Sequence, residues 1–182
     1  MATRALIVGG TGGIGYAMAC RIAAESPSST IIISGRTKPA SIPYANMEFR
    51  SLDASSMRLI KQYTDTYKST DGRKLDMLVL LVLTQGILST AGRTETSEGI
   101  DRKMALHYYG RQLLIRELSP VLKEDAKVVI VLDGIRRNPA KLNWQDLDLK
   151  ANYGFVAVGN HCISMTDAMV QAYASQEKNT RC

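Results

Sequence analysis

The stretch VGGTGGIG, Val8 to Gly15, supplies Gly9, Gly13 and Gly15, with Ile14 between the last two, directly after an apolar run and before a segment of helical period. A pyrophosphate carries charge that the unpaired N–H groups of a helix N-terminus can meet, and glycine lets the backbone come close enough to do so. Strand, glycine loop and helix in that order are the context that gives the motif its meaning. The next apolar run ends in SGRT, which places Arg36 where a fold selecting a free ribose diol would place a carboxylate, with Lys38 just beyond. A guanidinium complements a 2′-phosphate, so these residues predict NADP(H) in preference to NAD(H). Asp53, in SLDAS, could accept from the adenine amine or cap the following helix.

These residues need elements to hold them. The runs Arg4–Gly10, Thr30–Gly35, Met47–Asp53, Leu75–Leu83 and Lys127–Gly134 predict strands, and several of them are continuously apolar, as in LIV, III, LVLLVL and VVIV. Parallel strands covered on both faces read that way. Helical periods fill the intervals at Gly13–Ala24, Ser55–Lys68 and Ser97–Leu122, and a last helix is expected over about Tyr153–Gln176. Within the third, Ile100, Met104, His107, Tyr108, Arg111, Ile115 and Leu118 form one face; Phe155, Val158, Cys162, Met165 and Met169 form a face of the last. The alternation predicts an α/β, Rossmann-like, doubly wound parallel sheet in a single domain, 1–182, ending with the helix after the fifth strand.

Composition agrees with one globular domain: 182 residues, 45% hydrophobic and 22% charged, without a repeat or a biased tract. The net charge of +6 is spread along the chain instead of forming a basic tract, which argues for an anionic small molecule and against nucleic acid. Cys20, Cys162 and Cys182 suit neither a zinc site nor a disulfide framework, so no metal is expected and free thiols are. No apolar run approaches a membrane span and no charged leader precedes the first strand, so the reading is a cytoplasmic chain without membrane contact.

Taken together, the glycine loop, SGR, SLDAS, LDMLVL, GRTETSEGIDRKMALHYYGRQLLIREL and the tyrosine helix resemble the short-chain dehydrogenase/reductases, in particular a branch of fungal biosynthetic-cluster reductases. The resemblance implies an Asn on the fourth helix of the family, a Ser after its fifth strand, and a Tyr and Lys one helical turn apart. It also implies that Gly86, in the turn Thr84-Gln85-Gly86, faces the cofactor. The family's Asn falls on His107, its Ser on Gly134 next to Asp133, its Tyr on Tyr153 and its Lys on Ala157. No lysine follows Tyr153 before Lys178, so no shift of register restores the pair. Family members also continue into further strands that this chain does not contain, which would leave apolar surface on the fifth strand and last helix and favour a homo-oligomer.

The family's geometry would gather His107, Asp133 and Tyr153 in one cleft, where an imidazole, a carboxylate and a phenol are competent acid/base groups. Each also has a structural reading: a hydrogen-bonded half-buried histidine, a loop carboxylate and a packed aromatic. Arg136 and Arg137 read as loop charges and His161 as structural. Three functions remain open: an atypical NADP(H)-dependent reductase of a carbonyl or imine in fungal secondary metabolism; a non-redox cyclase or isomerase using the same cleft; and a silent protein that binds a dinucleotide or a partner.

Overall fold

The computed structural model describes residues 4–69, 78–133 and 138–180. Its strands are β1 (Arg4–Val8), β2 (Thr30–Gly35), β3 (Met47–Ser51), β4 (Leu78–Leu83) and β5 (Leu122–Ile130), all parallel, in the order β3-β2-β1-β4-β5. The sheet is doubly wound: the order reverses between β1 and β4, and a crevice opens at the carboxyl ends of the strands there. Helix α1 (Gly13–Glu25) follows β1, and α2 (Met57–Ser69) follows β3. After β4 come α3 (Arg102–Met104), a π-turn over Ala105–Tyr109 and α4 (Gly110–Leu118), which run on as one rod; α5 (Phe155–Thr180) closes the chain.

The continuously apolar strands are the buried ones. Ile31, Ile32 and Ile33 of β2 have no exposure, and neither do Leu6 and Ile7 of β1. Successive side chains point to opposite faces, so one run feeds two cores. Leu6, Val8 and Ile32 pack with Ile60, Leu81 and Leu114, whereas Ile7, Ile31 and Ile33 pack with Ala19 and Ala23 of α1. Burying each such aliphatic side chain stabilises the fold by about 1.5–3 kcal/mol.

Several boundaries differ from those the periodicity predicts. The third helix begins at Arg102, not Ser97: Asp101 caps it by accepting from the Lys103 and Met104 amides, and Gly99, at φ +74°, turns the preceding chain. It ends at Leu118 because Pro120 has no N–H to continue it, and β5 therefore starts earlier than expected, at Leu122. The last helix starts at Phe155, which leaves Tyr153 in the loop before it instead of on its first turn. The expected start of the fourth strand, Leu75, lies outside the described residues, as do Gly134, Arg136, Arg137 and Cys182.

Of the remaining cysteines, Cys162 is buried and Cys20 half-buried, and both are free thiols. Valines stand out from β5 and α5, with Val128 39%, Val129 37%, Val156 67% and Val170 43% exposed, where the sequence predicts an apolar edge. Among the described residues no helix is long and apolar enough to cross a membrane.

Candidate functional site

The turn after β1 can only be made as it is. Gly9 sits at φ +82°, and a Cβ there would lie 2.6 Å from the Gln85 amide nitrogen, so the loop lies hard against the end of β4. Gly9 and Gly10 both donate to the Ser34 carbonyl, at 2.8 and 3.1 Å, which ties the loop to β2. At the N-terminus of α1, Gly12 offers no side-chain cap, and a Cβ at Gly12 or Gly13 would meet open space. The first N–H groups of the helix thus face an uncovered groove, the arrangement an anion needs.

That groove has a volume of about 400 Å³. Gly9, Gly13, Ile14 and Gly15 line its floor; Arg36 and Asp53 stand at one end and Gly86 at the other. The seven residues that the sequence assigns to a dinucleotide are therefore all on it. Arg102, which sequence reasoning passed over, is a second cation on the same wall. Burial works against ionised Asp53, but the Ser55 hydroxyl and amide, donating at 2.7 and 2.9 Å, together with Arg36 and Arg102 outweigh it and hold the carboxyl below its ordinary range. Asp53 is not the cap of α2. That role is shared by Ser56, whose hydroxyl accepts from the Leu59 amide at 3.3 Å, and Glu98, whose carboxylate accepts from the Met57 and Arg58 amides at 2.9 and 2.8 Å. These features suit a dinucleotide: open helix N–H groups for a pyrophosphate, two guanidinium groups for further phosphate, and a carboxylate that stays ionised.

A second cavity, of about 300 Å³, shares Thr84, Gly86, Ile87 and Val131 with the groove and so adjoins it. His107 and Asp133 line it; Tyr153 does not. His107 belongs to the π-turn, a local widening of the helix that often accompanies functional positions. Its ring lies over Gly86, where a Cβ would come within 2.6 Å of Cε1. Its Nε2 lies 3.0 Å from the Ile87 amide nitrogen and 3.1 Å from the Ile87 carbonyl oxygen, so Ile87 can meet this nitrogen in either neutral tautomer. Burial pushes its pKa down, so the imidazole is neutral around physiological pH.

Tyr153 lies just behind this wall, in contact with a residue the sequence did not single out. Lys103 lines the cavity and its Nζ donates to the Tyr153 hydroxyl at 2.9 Å and to the Ala91 carbonyl at 2.6 Å. The signal was in the spacing: Lys103, His107 and Arg111 follow one another at four-residue intervals and so share a helical face. Arg111, 2% exposed, donates to the Gln85 carbonyl at 2.8 Å and the Val131 carbonyl at 3.1 Å, tying the carboxyl ends of β4 and β5 to α4. Burial lowers its pKa to about 10, still far above neutrality.

The loop that delivers Tyr153 is held by two residues. Asp146 accepts from the amides of Lys150, Ala151 and Asn152 at 2.7–3.0 Å. His161, 1% exposed on α5, accepts from the Asn143 amide at 3.1 Å and lies 3.3 Å from the Leu147 carbonyl, the structural role expected of it.

Sheet order, glycine loop and groove together define a Rossmann-like fold similar to that of the short-chain dehydrogenase/reductases. The fold of a metagenomic short-chain oxidoreductase solved in complex with NADP superposes with a TM-score of 0.70 at 15% identity, over 97% of this chain and 77% of that one. Among curated proteins, the chain is 32% identical over 179 residues to Oxidoreductase AN1596 of Emericella nidulans, covering 93% of this chain and 53% of that protein. It is 28% identical over 191 residues to the NmrA-like family domain-containing oxidoreductase notO of an Aspergillus species, covering 96% and 56%. The chain thus spans about half the length of these fungal relatives. No protein-family model matches it.

Proposed function

We propose that this chain binds NADP(H) and acts as an atypical reductase of a small carbonyl or imine intermediate in fungal secondary metabolism. The observation that carries the reading is that the two cavities adjoin: the groove with the glycine loop, Arg36 and Arg102 shares Thr84, Gly86, Ile87 and Val131 with a cavity walled by Lys103, His107 and Asp133. When bound, the cofactor would supply hydride. The chain's own residues would do the rest. Gly9, Gly13, Ile14 and Gly15 seat the pyrophosphate, Arg36 takes the 2′-phosphate, Asp53 accepts from the adenine side and Gly86 keeps the passage open. His107, as its neutral tautomer, and Asp133 place protons at the cavity wall, and Tyr153 acts through Lys103. Free thiols fit a reducing, cytoplasmic setting, and the exposed valines of β5 and α5 favour self-association into a homo-oligomer.

Fluorescence titration with NADPH and NADH, followed by NADPH oxidation against a panel of aromatic and aliphatic carbonyls, tests this. NADPH should bind more tightly than NADH and be consumed with at least one carbonyl. No binding of either nucleotide would end the reading. A second reading, a cyclase or isomerase without net redox change, is favoured by Ala157 standing where the resemblance implies a lysine. Conversion of a pathway intermediate with no nucleotide added would select it.

A further inference from the structure

Lys103 is a buried lysine on the wall of the second cavity, with its Nζ 5.3 Å from the centre of the Tyr153 ring. It is 6% exposed, and among the described residues it forms no ion pair. An ammonium carries three protons. Two are placed, on the Ala91 carbonyl and the Tyr153 hydroxyl. The side chain is held on course from both ends: Asp101 accepts from the Lys103 amide at 3.0 Å and from the Thr94 amide at 3.1 Å, while Tyr153 stands behind Nζ. A buried charge is costly unless it is paired, and Lys103 lines a cavity in which a ligand could meet its remaining proton.

Of the other polar groups there, Arg111 directs two nitrogens to backbone carbonyls and keeps a buried Nε that meets no acceptor among the described residues, and Asp133 has an interaction of its own. His107 is neutral and anchored to Ile87. Much of the remaining wall is apolar, formed by Leu88, Val131, Leu132, Phe155, Val158 and Ile163. An apolar cavity with a fixed ammonium selects a molecule that is mostly hydrocarbon and presents an oxygen at one place.

We propose that Lys103 is the oxygen anchor of this cavity, taking a largely apolar, ring-sized molecule whose carbonyl, enolate or carboxylate oxygen accepts the third Nζ proton, with Tyr153 as the positioning residue. The proposal rests on the reading of the cavity as the substrate site, and it departs from a phenol that meets the substrate directly.

The probe is naphthoate, an apolar bicyclic acid, titrated against the full chain without nucleotide by calorimetry; NADPH is titrated separately. The unaltered chain should bind naphthoate, Lys103→Met should weaken it by about tenfold or more, a charge-assisted hydrogen bond lost, and Lys103→Arg should stay within about threefold. NADPH affinity should be the same in all of them, because Lys103 does not line the groove. Equal naphthoate affinity in Lys103→Met, or no binding by the unaltered chain, overturns the anchor. If Lys103→Met does not fold, nitrogen NMR of the lysine ammonium groups decides: naphthoate should move one resonance, and that resonance should be missing from Lys103→Arg. No moving resonance overturns the proposal as well. Loss of NADPH binding with naphthoate binding intact would strike the cofactor reading alone.

Discussion

The Nζ of Lys103 lies 2.9 Å from the hydroxyl of Tyr153, although fifty residues separate them and they belong to different parts of the fold. The resemblance to a family with its tyrosine and lysine on one helix predicts a tyrosine left alone in this chain. It is not alone; its cation comes from α3, delivered by the Asp101 cap.

Arg36 should set the choice of nucleotide. Arg36→Ala is expected to weaken NADPH by about tenfold to a hundredfold, the range for losing charge-assisted hydrogen bonds of about 1.5–3 kcal/mol, and to leave NADH nearly unchanged. Titrations of both nucleotides against both chains check this; an equal loss for the two would show that Arg36 does not read the 2′-phosphate.

His107 should make stability depend on pH. Its folded pKa is depressed by burial from the ordinary 6.5, and the contributing Ile87 contact does not reverse this. For such a group the unfolded chain binds the proton first. The stabilisation is present above 6.5 and is lost as pH falls from there through the lower folded value. Urea unfolding at a series of pH values should show that decline, and His107→Asn should flatten it.

Glu98 should stabilise α2 from a distance. Glu98→Ala removes the acceptor of the Met57 and Arg58 amides and of the Ser56 hydroxyl, and should cost about 1–2 kcal/mol, with Glu98→Gln recovering part of it. Equilibrium unfolding of the three chains measures the difference.

Arg111→Met should cost about 2–4 kcal/mol, because the carbonyls of Gln85 and Val131 lose their buried donors even though the methionine fills much of the space. Since both carbonyls lie at the carboxyl ends of strands that border the two cavities, nucleotide affinity should fall with stability. A variant as stable as the unaltered chain would mean that water replaces the guanidinium.

The groove was legible because its chemistry is local. Glycines at a strand-to-helix turn, an arginine at the end of the next strand and an aspartate at the end of the third all lie at the carboxyl edge of a parallel sheet, so sequence order alone brings them together. Of the cavity, His107 and Asp133 came from the resemblance, at or beside the positions where it implies an Asn and a Ser, and both line the cavity.

What sequence order could not determine were the contacts between elements remote in the chain. Lys103 looked like one more charge on a helix, and its four-residue spacing from His107 marks a face without saying what covers it. Glu98 looked like the first turn of a helix and instead accepts from the first amides of another. Periodicity reports which side of an element is apolar, because that depends on near neighbours. The partner of a buried polar group depends on packing: the fold brings Tyr153 against Lys103, and a buried ammonium takes the acceptors that the tertiary structure puts within its reach.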